Sequence, residues 1–323
     1  MTSDVAGLVA GLISVTLWGS AFVAIRSAGH DLSPGPMALE RLLVSLVILT
    51  ALARARRVSW PSRRDLAGVA GFGVLWLGVY SVALNAGERH VDAGTASLVI
   101  NSGSILVAAA AGMLLHERLS RRLVTGYGTA FLGCGLIAAT TTAHHTDGAA
   151  DIALLILAAF AYAAAVTIQK PLLIRVSPLV VTWLGCAAAT IVCLPFAPSL
   201  VEQARANDGR AVLWTAYLGV GPTTVGFLTW SFALSRTTVG RLGALTYLSP
   251  LVAVLLGWAA LDEVPPPLSL VGGAMCLVGV VVARRRSSGQ QPSPSHSGTP
   301  ETLSTSAQPL TVPPPRNARA EAT

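Results

Sequence analysis

Two ionisable residues, Glu40 and Arg41, stand side by side within an apolar stretch of the sequence. A charged side chain inside hydrocarbon costs about 2.5–3.5 kcal/mol on insertion scales, so this pair requires an explanation. In one interpretation Arg41 anchors a carboxylate-bearing ligand or forms part of an outer gate. In the other interpretation, both residues lie near the membrane interface on the outer side of the protein, where Arg41 reaches water and Glu40 is solvated. Their position about one and a half turns into the stretch favours the interface.

Two further carboxylates, Glu117 and Glu263, follow the ends of apolar stretches. A carboxylate at such a point could carry a proton. The nearby Arg118 and Arg121 favour a structural role instead, in which each glutamate pairs with an arginine or holds a loop. We keep Glu40, Arg41, Glu117 and Glu263 as candidates for gating or coupling.

A second set of residues combines an apolar body with a hydrogen-bonding tip near the middle of the apolar stretches. Its members are Trp18, Tyr80, Asn85, Asn101, Trp230 and Tyr247. A cavity lined by such side chains suits a small zwitterionic or amphipathic solute, through stacking and a few directed hydrogen bonds. The alternative is ordinary hydrogen bonding between helices, worth about 0.6 kcal/mol per contact.

Pro250 follows Ser249 in the middle of an apolar stretch, so it predicts a helix break. A proline inside a helix frees a backbone carbonyl and bends the helix. Freed backbone groups at membrane depth are tolerated where they line a cavity. A kink that serves packing alone fits the residue equally well.

The elements that carry these residues follow from composition. The chain of 323 residues is 53% apolar and 11% charged, with a mean hydropathy of +0.63. A typical soluble domain is about 25% charged, so most of this surface must face lipid. Ten stretches are long enough to cross about 30 Å of hydrocarbon as helices. They are approximately 6–26, 36–55, 66–86, 94–115, 123–142, 150–169, 178–198, 211–233, 239–261 and 268–284. The sequence therefore predicts an all-α polytopic membrane protein with ten transmembrane helices.

The basic residues predict the orientation of these helices. With a cytoplasmic N-terminus, 15 Lys and Arg residues fall in or beside inner loops and four fall outside. This asymmetry indicates that both termini lie in the cytoplasm. The net charge of +7 is accordingly an orientation signal and does not indicate a nucleic-acid partner.

An internal repeat divides the chain into two halves. A shift of 146 positions superimposes Gly94 on Gly240, Glu117 on Glu263, Gly126 on Gly272 and Gly133 on Gly279. A shift of 144 superimposes Ser33-Pro34 on Ser177-Pro178 and Arg26 on Lys170. Five spans in each half invert the second repeat relative to the first. We predict repeats at 1–142 and 150–286, followed by a disordered cytoplasmic tail at 287–323 whose Pro, Ser, Thr and Gly cannot form a core.

The chain resembles the EamA family of the drug/metabolite transporter superfamily. The resemblance rests on Leu-Trp-Gly-Ser-Ala-Phe at 17–22, Pro36 with Arg41, Leu248-Ser249-Pro250, and Glu263 before a glycine-spaced last span. Two departures concern the repeat: Ser104 is the counterpart of Pro250, and Gly185 is the counterpart of Arg41. The resemblance implies a cytoplasmic-membrane carrier, commonly an exporter of amino acids or other small metabolites.

We therefore expect a secondary transporter that works by alternating access, with a small-molecule substrate, the lipid bilayer as its surroundings, and no cofactor. The resemblance implies proton coupling, and facilitated diffusion also fits the residues. The rival classes are a channel or non-transporting sensor and, less consistent with the sequence, a membrane enzyme. Gly103-Ser104 could suggest a serine nucleophile, but no span centre supplies a histidine base. No cluster of His, Cys or carboxylate has the spacing of metal ligands.

Overall fold

The computed structural model describes residues 2–29, 31–89, 93–114, 120–140, 149–206, 209–261 and 267–284. All of them belong to one unit of the chain, Met1–Arg286. They form ten continuous runs of helix, labelled α1 to α10, and contain no strand. The runs are Thr2–Ala28 (α1), Pro34–Ala55 (α2), Arg63–Gly87 (α3), Ala93–Leu114 (α4), Arg121–Thr140 (α5), Ala149–Leu172 (α6), Pro178–Ala206 (α7), Arg210–Arg236 (α8), 239–261 (α9) and Pro267–Arg284 (α10). The all-helical prediction is confirmed for this part of the chain. Glu117, Glu263 and the predicted tail lie outside it.

Most of these helices are suited to a lipid environment. Seven are long and apolar enough to cross a membrane: α1, α2, α3, α6, α7, α8 and α9. Helices α4 and α10 contain shorter apolar stretches, Val99–Leu114 and Leu270–Ala283. Large apolar side chains such as Val47, Leu132 and Leu213 point outward from the bundle. The chain is thus a multi-pass membrane protein, and the number of ten spans stays a prediction.

Helices α2 and α7 begin with the same Ser-Pro pair. Ser33 and Ser177 both have extended backbone angles, with ψ of 158° and 148°. Proline disfavours helical angles in the residue before it and is well suited to the first helical position. Ser177 also accepts a hydrogen bond from the backbone N–H of Val180, at 3.4 Å. The repeat seen in the sequence therefore gives two matched helix starts.

Helices α5 and α10 pack backbone to backbone at glycines that the repeat relates. A Cβ atom on Gly126 would lie 2.6 Å from the carbonyl oxygen of Gly279, and one on Gly133 would lie 2.5 Å from that of Gly272. The repeat counterparts of Gly126 and Gly279 are Gly272 and Gly133, so the repeat relates the first contact to the second. Small residues at these positions allow the two backbones to approach closely. The contact has the form expected of a two-fold relation between the halves.

Helices α3 and α8 each contain a π-helical segment, Gly73–Tyr80 and Gly219–Val225. The first residue of each segment packs against a neighbouring backbone: Gly73 faces the carbonyl of Gly185 on α7, and Gly219 faces the carbonyl of Arg41 on α2. Gly185 is the repeat counterpart of Arg41, so both halves make the same contact. Segments of π-helix are rare and frequently occur at functional sites.

A change in helix type precedes Pro250, the residue at which the sequence predicts a helix break. Residues Ala244–Leu248 form a 3₁₀-helix, and α-helix resumes at Ser249. Because proline has no N–H, it cannot donate to the carbonyl of Thr246 four residues earlier. The Thr246 hydroxyl donates to the carbonyl of Gly243 at 2.7 Å, within the 3₁₀-helix.

We predict that Gly133→Ala lowers the thermal stability of the detergent-solubilised protein, because the added methyl group must push two backbones apart. Overpacking of this kind typically costs about 1–3 kcal/mol. Gly128→Ala is the matched control, since a Cβ on Gly128 of the same helix meets no atom within 4 Å. The control should keep or slightly raise the melting temperature, because alanine is the better helix former. Equal melting temperatures for the two variants would contradict the α5–α10 contact.

Candidate functional site

A cavity lies between the two halves of the bundle, among α1, α2, α3, α4, α6, α8 and α9. The cavity has a volume of about 70 Å³, counted as the space that the centre of a water molecule can occupy. One water needs roughly 10–15 Å³ on this measure, so the cavity holds roughly five waters or a small organic molecule. It is lined by Trp18, Ala21, Phe22, Ile25, Arg41, Trp76, Tyr80, Ser81, Leu84, Ile100, Asn101, Ser104, Tyr162, Phe227, Thr246 and Ser249.

The cavity is displaced toward one end of the bundle. Its residues on α1 and α3 come from the C-terminal halves of those helices, whereas Arg41 on α2 and Ile100 and Asn101 on α4 come from the N-terminal halves. The other lining residues lie near the middle of their helices: Ser104, Tyr162, Phe227, Thr246 and Ser249. The near end is therefore the one at which α1 and α3 end and α2 and α4 begin. The basic connections between α2 and α3 and between α6 and α7 lie at the opposite end.

Aromatic rings form the wall between the cavity and the opposite end. The ring of Trp18 lies 5.5 Å from Trp76 and 5.4 Å from Phe227, measured between centroids. Trp76 also lies 5.0 Å from Tyr162. The indole N–H of Trp18 donates to the carbonyl of Pro222, in the π-helical segment of α8, at 3.2 Å. Tilted and edge-to-face contacts at these distances stabilise aromatic clusters. The wall is therefore apolar and closely packed.

Polar groups of α4 and α9 face the cavity from another side. The hydroxyls of Ser104 and Thr246 lie 2.8 Å apart, and the Tyr247 hydroxyl donates to the carbonyl of Asn101 at 3.1 Å. The structure thus brings together Asn101 and Tyr247, the two positions that the repeat relates. Ser104 is the small polar residue that replaces a proline in the first half, and it supplies part of this polar surface. No histidine is among the lining residues.

Glu40 and Arg41 are both buried, with exposed fractions of 9% and 6%. This differs from the interface position that the sequence favoured, because threonines of α8 supply their partners. The Thr215 hydroxyl donates to the Glu40 carboxylate, and the Arg41 Nε donates to the Thr223 hydroxyl at 2.9 Å. Arg41 lines the cavity, and Glu40 does not.

The six predicted cavity residues divide into two groups. Trp18, Tyr80 and Asn101 line the cavity. Asn85, Trp230 and Tyr247 are not among its lining residues; all three are buried. Asn85 donates to the carbonyl of Pro34 at 3.3 Å. Trp230 lies behind the aromatic wall, 4.9 Å from Trp18 between ring centroids.

Sequence reasoning missed Trp76, Tyr162, Phe227 and Thr246. Two of them had a usable signal. Tyr162 follows Trp18 by 144 positions, which is one of the shifts that relate the two halves. Trp76, Tyr80 and Leu84 are spaced four apart, as residues on one face of a helix are. Nothing in the sequence near Phe227 or Thr246 indicates that they face a cavity.

The described residues offer no metal site of at least three His, Cys, Asp or Glu side chains. The four cysteines are free and buried. Cys134 and Cys276 approach to 3.7 Å between sulfur atoms, at the α5–α10 contact and outside the cavity lining.

Comparison with known families gives two matches in this one chain. The sequence model of the EamA-like transporter family matches residues 5–139 and again residues 150–285. The chain belongs to the EamA-like transporter family. The match confirms the resemblance read from the sequence, and its double occurrence agrees with the internal repeat. Members of this family are transporters, which makes this chain a membrane transporter.

Individual relatives of this EamA-like transporter agree with the family. A protein of Streptantibioticus cattleyicolor named "Probable terminal-alkyne amino-acid exporter" is 35% identical over 87% of this chain and 94% of its own length. A protein of Salmonella typhimurium named "Probable amino-acid metabolite efflux pump" is 26% identical over 84% of this chain and 92% of its own. A chain in a solved crystal structure shares the fold, with a TM-score of 0.73, 21% identity, and coverage of 86% of this chain and 97% of that one.

We predict that Trp230→Ala strongly lowers the melting temperature, because Trp230 is 1% exposed and packs on Trp18 and Trp76. Truncation of a buried tryptophan typically costs about 3–5 kcal/mol. Trp60→Ala is the control, since Trp60 is 71% exposed. Thermal denaturation of both variants in detergent measures the effect. Equal stabilities for the two variants would show that Trp230 is not packed against the aromatic wall.

Proposed function

We propose that this transporter exports a small amino acid or a related metabolite across the cytoplasmic membrane, with both termini in the cytoplasm. The cavity between the two halves is the observation that carries the proposal, because it is small, walled by aromatic rings and furnished with a few polar groups. Such sites bind small molecules by stacking and directed hydrogen bonds. The names of the relatives from Streptantibioticus and Salmonella support an amino-acid type of substrate.

The proposed architecture is ten spans in two inverted repeats, at 1–142 and 150–286. The ten runs of helix, the matched Ser-Pro starts and the exchange of glycine pairs between α5 and α10 support it. With the N-terminus inside, the end of the bundle nearest the cavity faces outward, so the structure corresponds to a state that is closed toward the cytoplasm.

Alternating access follows from comparing repeat counterparts around the cavity. The cavity residues Ala21, Ile25 and Asn101 have the counterparts Ala165, Gln169 and Tyr247, at shifts of 144 and 146. Tyr80-Ser81 and Ala83-Leu84 on α3 match Trp230-Ser231 and Ala233-Leu234 on α8 at a shift of 150. The named counterparts are all buried, and none of them lines the cavity. If the halves exchange conformations, the counterparts Ala165, Gln169, Trp230 and Tyr247 line a cavity open to the cytoplasm.

The counterparts are held by contacts that such an exchange must break. Gln169 donates from its amide to the Ser231 hydroxyl at 2.9 Å, and Ser231 lies 3.1 Å from the Thr182 hydroxyl. This group of side chains joins α6, α7 and α8 and forms the proposed inner gate. Trp230 Nε1 and Gln169 Oε1 are buried without a hydrogen-bond partner in the described structure. Unsatisfied buried groups are costly, so opening this side to water or substrate offsets part of the cost of breaking the gate.

Proton coupling is part of the proposal, and it draws on the family resemblance more than on the cavity. No described residue that lines the cavity is a carboxylate or a histidine. Glu40, bonded to Thr215 beside the cavity residue Arg41, is the described carboxylate that we assign to coupling or gating. Glu117 and Glu263 remain secondary candidates for the same role.

We predict opposite accessibility for cysteines at Ala21 and Ala165. In the outward-open state, Ala21→Cys reacts with a membrane-impermeant thiol reagent added outside, because Ala21 lines the cavity. Ala165→Cys is protected there, because Ala165 is fully buried, and it reacts from the cytoplasmic side once the inner gate opens. Ala24→Cys is the control, since Ala24 on the same helix as Ala21 is also fully buried. Labelling of Ala165→Cys from the outside as fast as Ala21→Cys would contradict the exchange of conformations.

Counterflow in proteoliposomes tests the proposed function. L-propargylglycine, a terminal-alkyne amino acid, is a suitable labelled probe, and protein-free liposomes measure leak. A carrier gives saturable uptake that is accelerated by unlabelled probe on the opposite side, whereas a channel gives rapid uptake without this acceleration. Absence of protein-dependent uptake for this probe and for a panel of other amino acids would refute the proposal.

An imposed pH gradient that accelerates wild-type uptake, but not uptake by Glu40→Gln, would support proton coupling through Glu40.

A further inference from the structure

Arg41 presents a buried cation to the cavity, and no described carboxylate forms an ion pair with it. Its side chain is 6% exposed and lines the cavity. The Glu88 carboxylate attracts this cation only from a greater distance. The neighbouring Glu40 carboxylate accepts a hydrogen bond from the Thr215 hydroxyl. The ion pair that Arg175 makes with Asp65 lies at the opposite end of the bundle from the cavity. Among the described residues, no carboxylate comes within 4 Å of the Arg41 guanidinium nitrogens.

The geometry of Arg41 leaves its two terminal guanidinium nitrogens available to donate hydrogen bonds to a ligand. Nε is fixed by the Thr223 hydroxyl at 2.9 Å, which orients the plane of the guanidinium. A guanidinium presents a planar fork of N–H donors that matches a carboxylate with two parallel hydrogen bonds. A buried charge that lacks a paired counter-ion is strongly unfavourable, so a carboxylate that pairs with Arg41 in the cavity is stabilised.

The remainder of the cavity suits the other parts of an α-amino acid. The described lining has no acidic side chain that could pair with an ammonium group. The faces of Trp18, Trp76 and Tyr80 can attract a cation instead, and the hydroxyls of Ser104 and Thr246 can accept its hydrogen bonds. A volume equivalent to roughly five waters limits the side chain to a few heavy atoms.

We propose that Arg41 binds the carboxylate of the transported molecule, so that the cavity selects small monocarboxylates, α-amino acids among them, and rejects the corresponding amines. This inference rests on the proposed function for the placement of the substrate in the cavity. The repeat counterpart of Arg41 is Gly185, so the anchor belongs to one half only. The carboxylate is then held by the first half, while the second half supplies Thr223 to orient the arginine.

Three matched probes test this selectivity by ligand-induced thermal stabilisation of purified protein. L-propargylglycine carries both charges, pent-4-ynoate keeps only the carboxylate, and but-3-yn-1-amine keeps only the ammonium. We expect the two acids to raise the melting temperature of the wild type and the amine to leave it unchanged. Stabilisation by the amine that equals that of the acids, or no stabilisation by either acid, would overturn the inference.

Variants of Arg41 and Thr223 assign the effect to this site. Arg41→Gln should weaken the apparent affinity for both acids at least tenfold, and Arg41→Lys should weaken it less, because one ammonium replaces a planar fork. Arg64→Gln, which removes an exposed arginine outside the cavity, is the control. Should Arg41→Gln fail to fold, Thr223→Val replaces it: loss of the orienting hydroxyl should weaken acid binding severalfold, and Thr223→Ser should restore it. Unchanged acid affinity in the folded variants would contradict the assignment.

The two proposals fail separately. Stabilisation by the acids that depends on Arg41, without counterflow of any amino acid, would refute export while the carboxylate site stands. Counterflow of L-propargylglycine that persists with unchanged apparent affinity in Arg41→Gln would refute the carboxylate site while export stands.

Discussion

Hydrocarbon offers a protein no hydrogen-bond partners, and the structure follows from that constraint. Every described backbone segment that could cross the membrane is helical, because a helix satisfies its own N–H and C=O groups. Ionisable side chains must then turn toward the interior of the bundle. Arg41 and Glu40 do so, and the hydroxyl groups of two threonines on α8 form hydrogen bonds with them. The cavity beside Arg41 is therefore where the bundle concentrates polar chemistry that lipid cannot solvate.

The two halves meet through two kinds of contact with different consequences. Between α5 and α10, glycines bring backbones together, and such a contact has little freedom to move because any separation loses its packing. Around the cavity, by contrast, the contacts are side-chain hydrogen bonds and tilted aromatic pairs, which can be exchanged for equivalent ones. This division suits a carrier in which α5 and α10 remain together while the helices around the cavity rearrange. The pair Trp18–Trp230 shows the kind of difference between the halves that the proposed exchange would reverse, since its repeat counterpart Tyr162–Tyr80 is more widely spaced, at 6.4 Å against 4.9 Å between ring centroids.

Composition and the length of the apolar stretches predicted the helices well, because the requirement for a long apolar stretch is local in sequence. The Ser-Pro starts of α2 and α7 and the paired glycines of α5 and α10 were also readable, since each has a counterpart in the other half. The site was only partly accessible. Trp18, Tyr80 and Asn101 line the cavity, whereas Trp230 and Tyr247, the repeat counterparts of Tyr80 and Asn101, lie beyond its lining. The burial of Arg41 depended on Thr223, 182 positions away, which depth along one helix could not indicate.

We propose that transport depends on an exchange of conformations between the two halves around the cavity. Single-molecule distance measurements test it most directly, with one label pair at Asp31 and Arg89 and a second at Ile174 and Ser235, at opposite ends of the bundle. On addition of L-propargylglycine, we expect growth of the population in which the first distance is short and the second distance is long. Distances that lengthen or shorten together, or that do not respond to any transported amino acid, would contradict it.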